Sequence, residues 1–108
     1  MTTAKARSGE IVDVRQLGEA LAFTKNSTLI LTGSMKVVRM VLPAGKVLAE
    51  HTAPGEIAVQ CLEGEIAFAA HGKTERLKAG QLLYLAAGEP HSVTAITDSS
   101  FLLTVVLN

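Results

Sequence analysis

GKVLAEHTAPGEIAVQCLEGEIAFAAHGKTERLKAG, residues 45–80, decides the fold class. It holds four short runs, KVLAEH, IAVQCL, EIAFAA and TERLK. They are separated or closed by Ala53-Pro54-Gly55, Glu63-Gly64, His71-Gly72-Lys73 and Ala79-Gly80. Short apolar or β-branched runs bounded by glycine and proline read as strands. Gly64, Gly72 and Gly80 lie where the chain must reverse within a few residues, and glycine enters positive φ there without steric cost.

The same pattern extends outward in both directions. Upstream, TLILT ends at Gly33-Ser34 and MKVVRMVL ends at Pro43-Ala44-Gly45; downstream, QLLYLA ends at Gly88-Glu89-Pro90, HSVTAIT ends at Asp98-Ser99-Ser100, and FLLTVVL closes the run of strands. From Thr28 onward no helical segment interrupts the runs, so parallel crossovers have no room. The spacing predicts an all-β fold, an antiparallel β-barrel of the double-stranded β-helix or jelly-roll kind. Hydrophobic residues make up 48% of the chain and aromatic ones only 4%, so the core is expected to be built from Val, Leu, Ile and Ala.

A length of 108 residues suits one domain, expected over residues 13–108. Residues 1–12 are expected to form a flexible or strand-exchanging segment, because Met1 to Gly9 is polar, small and aperiodic. The stretch beyond Gly9 admits two readings. Asp13 caps a short helix, with Gln16 three residues later and Leu17, Ala20 and Leu21 on one face, or the stretch is a loop or short strand carrying Val12 and Val14.

Ten basic and ten acidic residues leave no net charge, and no basic stripe is present to bind nucleic acid. The single cysteine, Cys61, forms no internal disulfide. MTTAKARSGE lacks the apolar core of a signal peptide, and no apolar run approaches the roughly 18 residues of a membrane span. A cytoplasmic protein that engages neither membrane nor nucleic acid is expected.

Two motifs, GKVLAEHTAPGEIAVQCLEG at 45–64 and GQLLYLAAGEPH at 80–91, resemble those of the cupin family. Gly45, His51, Gly64, Gly80, Gly88 and His91 fall where that pattern places glycine and histidine. The second histidine position holds Ala53, the glutamate position Ile57, the proline position Ala86 and the final asparagine position Ala95. The resemblance covers about Met35 to Leu107 and implies a cupin-like barrel whose metal site has lost half its ligands. Of the metal ligands it implies, His51 and His91 remain. A divalent ion such as Zn, Fe, Mn or Ni would be weakly held, because typical catalytic zinc sites keep three protein ligands.

Glu56 precedes the missing carboxylate position by one residue and faces away in a regular strand; only a β-bulge at Gly55-Glu56 turns it inward. Cys61 lies four residues, roughly 13 Å, beyond Ile57 and reads as a buried small hydrophobe. His71 sits at a hairpin tip. With His51 and His91 facing inward, Ile57, Val59 and Val93, with Ala95, line a largely apolar lumen. Tyr84 adds a hydroxyl to that pocket or packs on the outer face.

An apolar cavity with a few convergent polar groups is the usual form of a small-molecule site. The expected function is therefore a small-molecule-binding domain with a two-histidine remnant of a metal site. The alternative implied by the resemblance is a metal-dependent enzyme, of dioxygenase, isomerase or decarboxylase type, acting on a small oxygenated substrate. A metal-free enzyme using one histidine as general base calls on the same residues. FLLTVVL and MKVVRMVL offer more apolar surface than one small lumen needs, so a homodimer is expected.

Overall fold

The nine runs become nine strands in the computed structural model, which describes residues 5–107. These are β1 (Ser27–Leu31), β2 (Met35–Leu42), β3 (Val47–His51), β4 (Ile57–Glu63), β5 (Glu65–Ala70), β6 (Lys73–Lys78), β7 (Leu82–Leu85), β8 (His91–Ala95) and β9 (Ser99–Val106). All pairings are antiparallel. Residues 1–4, part of the segment expected to be flexible or strand-exchanging, lie outside the described residues. Among the described residues no helix is long and apolar enough to cross a membrane.

The expected closed barrel or jelly roll is not what forms. The strands divide into a five-stranded sheet, β1-β2-β9-β4-β7, and a four-stranded sheet, β3-β8-β5-β6, and neither sheet closes or curls on itself. The reason lies partly in the connection after β6. Gly80 N–H donates to the Cys61 carbonyl and Cys61 N–H to the Gln81 carbonyl, at 2.8 and 3.0 Å. Residues 80 and 81 are thereby tied to β4, and β7 continues along β4 rather than along β6. Turn spacing specifies where strands reverse but not which edge each one joins, so closure was not legible from it.

Alternation builds the shared core. Along β4, Ile57, Val59, Cys61 and Glu63 are buried while the residues between them are less so. Ile57, Val59 and Cys61 meet Phe101 and Val105 of β9, Ile66 and Phe68 of β5, and Val93 and Ala95 of β8 in one apolar cluster. Cys61 is fully buried there, and burial pushes its thiol pKa up.

At one end of the molecule two of the chain's passages between sheets meet, from β4 to β5 and from β8 to β9. Gly64 makes the first passage at φ 77°, and a Cβ there would run into the Asp98 carbonyl and Ser99 of the second. The Ser99 hydroxyl accepts from Glu65 N–H at 3.0 Å and lies 2.7 Å from the Thr97 carbonyl, to which it donates. Ser99 and Ser100 are buried polar residues, and their hydroxyls are satisfied in this corner.

The corner also anchors the N-terminal chain. Glu63, 9% exposed, accepts the N–H groups of Leu17 and Gly18 at 2.9 and 3.1 Å and the Ser100 hydroxyl. Gln16 adds a bond from its side-chain amide to the Leu62 carbonyl, and Arg39 one from its guanidinium to the Arg15 carbonyl, both at 3.0 Å. Asp13 caps no helix: its carboxylate accepts the Arg15 N–H and Nε–H, and a 3-10 helix begins only at Gly18 and runs to Phe23. Residues 13–17 are irregular, as the loop reading has it.

Burial alone would raise the Glu63 pKa, but the Leu17 N–H, the Ser100 hydroxyl, the Gly18 N–H and the Arg39 charge together hold it below the usual carboxylate range. A depressed carboxylate pKa contributes stability that is present above the unfolded-state value and is lost as pH falls through the folded-state value. Glu63→Gln is therefore expected to lower unfolding free energy by about 2 kcal/mol at neutral pH. The gap from wild type should narrow in acid as wild-type Glu63 protonates. Urea unfolding at neutral and acidic pH measures both; coincident midpoints at neutral pH would show that the carboxylate is no anchor.

Candidate functional site

The other end of the molecule brings His51 and His91 together. A register shift between Leu48 and His51 is the local cause. Leu48 pairs with Val93 and His51 with His91, so three residue steps on β3 match two on β8. In a regular ladder Glu50 would oppose His91 and His51 would take the opposite face. The extra residue of this bulge reverses that assignment and aligns His51 with Leu48, Val93 and His91 on one side of the four-stranded sheet.

Both imidazoles are fixed in the same way. His51 Nδ1 lies 2.9 Å from the Ala49 carbonyl, and His91 Nδ1 lies 2.9 Å from the Glu89 carbonyl. A carbonyl oxygen only accepts, so each Nδ1 carries its proton, and in the neutral ring Nε2 is left as a lone-pair donor. This backbone-carbonyl arrangement is the usual support for a histidine that binds a metal through its other nitrogen. His51 is exposed, whereas His91 is 4% exposed and stacks on Phe68 with ring centres 5.4 Å apart and planes 9° apart.

The two imidazole centres are 4.3 Å apart, with planes tilted by 58°. An ion about 2.1 Å from each Nε2 lies roughly 3.2 Å from each ring centre, so two rings stand roughly 4.6 Å apart in cis positions on an octahedral ion and roughly 5.3 Å apart in tetrahedral ones. The spacing comes nearer to the cis octahedral value. The rest of a metal centre is not there: among the described residues no group of three or more His, Cys, Asp or Glu side chains is placed to hold a metal. Ala53 and Ile57 occupy the positions from which further ligands would come, and Ile57, 3% exposed, is part of the core. The residues present fit a two-imidazole remnant and not a complete centre.

Glu56 lies apart from this pair. No register shift occurs at Gly55-Glu56; the bulge is in β3 instead. The Glu56 carbonyl accepts Val106 N–H at 2.9 Å, and its carboxylate accepts the Tyr84 hydroxyl at 2.6 Å on an exposed surface. That hydrogen bond, with lesser contributions from desolvation and the charge of Glu56, raises the Tyr84 pKa. Tyr84 pairs with Ala58 and stands on the outer side of β7, at its edge.

Ile57, Val59 and Val93, expected to line the lumen with Tyr84, are buried members of the packed core. A cavity of about 280 Å³ includes Phe68, Ala70, Lys73, Leu83 and Leu85 among its walls. Sequence reasoning missed these residues. Alternation places Phe68 with Ile66 on the inner face of β5, but only the pairing of Phe68 with Val93 and Glu75 shows what it adjoins. His71 occupies the β5–β6 turn at φ 56°, with Nδ1 3.6 Å from a Glu89 carboxylate oxygen.

Known proteins share this fold. A cupin superfamily protein from Desulfitobacterium hafniense superposes with a TM-score of 0.78 over 95% of this chain and 100% of its own, at 14% identity, which speaks for the fold alone. A predicted oxalate decarboxylase from Thermotoga maritima gives a TM-score of 0.69 at 30% identity over 77% of this chain and 79% of its own. An oxalate-binding protein of Thermotoga maritima is 38% identical over 72 residues, 64% of this chain, which spans 60% of that relative's length. Residues 38–107 match the family model described as the cupin domain, and the chain, with His51 and His91 side by side and the remaining ligand positions replaced, belongs to the cupin family.

Proposed function

We propose that this cupin domain binds a small molecule through the His51–His91 pair, with Ile57, Val59 and Val93 as the apolar ground beneath it. The observation that carries the reading is the matched Nδ1–carbonyl bonding of the two imidazoles, which presents two Nε2 atoms with no third ligand beside them among the described residues. Such a pair accepts hydrogen bonds from a ligand, or holds a divalent ion most of whose coordination positions remain for water and ligand. The 38% identity to an oxalate-binding protein favours a short carboxylate that completes the coordination of a weakly bound Zn, Fe, Mn or Ni ion. Glu56 takes no part in this site while its carboxylate is held by Tyr84.

Calorimetric titration of the chelator-treated protein with Zn²⁺ or Ni²⁺ is expected to show weak, saturable uptake, lost in His51→Ala and in His91→Ala. Oxalate is expected to bind the ion-loaded protein and not the ion-free one. Uptake unchanged in His51→Ala would place the ion elsewhere, and metal retained at full occupancy through chelator dialysis would refute the weak two-ligand site.

A metal-dependent enzyme is the second reading, favoured by the 30% identity to a predicted oxalate decarboxylase and by the 4.3 Å imidazole spacing. Oxalate turnover by the ion-loaded protein, abolished in His91→Gln, would promote it over simple binding.

A homodimer also belongs to this proposal. Ile11 and Phe23 are 95% and 88% exposed, and Leu82 of the outer sheet face is largely exposed as well. A second copy covering the N-terminal segment would remove such side chains from water, each worth about 1.5–3 kcal/mol when fully buried. Light scattering at micromolar concentration is expected to give twice the chain mass, with Ile11→Ser/Phe23→Ser shifting it to monomer. A monomeric wild type counts against pairing.

A further inference from the structure

β6 and β7 are the terminal strands of their sheets, and no ladder joins them. The cavity of about 280 Å³ takes walls from both. Leu83 and Leu85 of β7 pair with the buried Val59 and Ile57 of β4, so they stand on the inward face of their strand. On β6 the inward face belongs to the buried Leu77, and Lys73 and Glu75 share its parity. They pair with Ala70 and Phe68, and all four line the cavity. An apolar floor of Phe68, Leu83 and Leu85 thus has one cation and one anion in its own wall, while His51 and His91 are absent from the lining. The volume falls at the lower end of ligand pockets, about 300–1,000 Å³, which suits one ring or a short branched chain.

The paired charges set the polarity of the occupant. Lys73 Nζ lies 3.2 Å from a Glu75 carboxylate oxygen, and both side chains are more than half exposed, so each head stays open to a ligand. An ammonium has three donors and an ionised carboxylate about four lone-pair positions, of which this pair uses one each. A ligand with a single charge meets attraction from one head and repulsion from the other, and over so short a separation the two largely cancel. A ligand carrying both charges lies head to tail against the pair, and both contacts attract. The ammonium nitrogen and carboxylate oxygens of an α-amino acid sit on one carbon, about 3 Å apart, which matches the spacing of the pair.

We propose that this cavity binds a free α-amino acid with a branched aliphatic or aromatic side chain, its carboxylate on Lys73, its ammonium on Glu75 and its side chain against Phe68, Leu83 and Leu85. The site works without an ion at His51 and His91, so it stands apart from the histidine-centred reading.

Tyr84 also borders the cavity; it is the only tyrosine and the chain has no tryptophan, so tyrosine fluorescence reports on this place alone. L-Leucine and its two singly charged relatives, 3-methylbutylamine without the carboxylate and 4-methylpentanoate without the ammonium, are titrated into the full chain at low salt in the presence of chelator. Leucine is expected to give a saturable change with affinity about fivefold above either relative. Lys73→Gln and Glu75→Gln, exposed substitutions whose folding is checked by circular dichroism, should each weaken leucine about fivefold and split the relatives in opposite directions. Lys73→Gln should favour the amine over the acid, and Glu75→Gln the acid over the amine. His51→Ala should alter none of the titrations. Leucine binding no tighter than that of its relatives, or no saturable response to leucine, overturns the proposal. Leucine affinity indifferent to both substitutions overturns it as well, leaving the inward charges as a guard against edge-to-edge pairing. Loss of leucine binding in His51→Ala would place the ligand at the histidine pair and is equally fatal to it.

Discussion

Everything in this molecule hangs from the corner where the central strands change sheets. β4 hands over to β5 at Gly64 and β8 to β9 at residues 96–98, and the two passages press against each other so closely that only glycine fits at the first. Two backbones in contact need their polar groups satisfied locally. The Glu65 carbonyl accepts the N–H of Ile96, and the Ser99 oxygen accepts Glu65 N–H while donating to the Thr97 carbonyl. Because β4 and β9 are neighbours in one sheet and β5 and β8 in the other, this contact fixes the register of both sheets at once.

Fixing one end leaves the other free to present side chains. The strands run from the corner to an end where His51, Ala70, Lys73, Leu85 and His91 terminate or begin their elements. His91 is set there by its pairing with Ala70, directly along the ladder from the corner. His51 is not, since a regular β3 would turn it away; the bulge between Leu48 and His51 supplies the missing half-step, and the Ala49 carbonyl within it orients the ring. The pair is thus the product of two independent devices, a register inherited from the corner and a local irregularity.

Much of this was legible in the sequence where the signal was local. The turn residues marked all nine strands to within a few positions, and MKVVRMVL and EIAFAA coincide with β2 and β5. The parity of Ile57 and Val59 comes from alternation. What escaped was decided by distant partners. Closure failed because residues 80 and 81 bond to Cys61, a contact that no turn pattern encodes. The anchoring of residues 17 and 18 depends on a buried carboxylate more than forty positions away, which reads in sequence as one more charged residue before a glycine. Turn residues invite a bulge beside Gly55, yet it occurs within VLAEH, which has no glycine to mark it.

The two replaced ligand positions are not simply vacant. Ile57 joins the core cluster and Ala53 packs against it, while the Ala53 carbonyl accepts Gly88 N–H at 3.1 Å and so steadies the turn that leads to His91. Restoring a carboxylate at position 57 would put a charge where a side chain is 3% exposed, a place with a large desolvation cost unless an ion or a donor offsets it. The chain keeps a glutamate one residue earlier, and in a strand one residue is the difference between the inside and the outside. At position 56 the carboxylate meets Tyr84 on an exposed surface instead of the histidines. The negative charge lies apart from the place where an ion would be gripped, and the histidines are left as a pair backed by the apolar core.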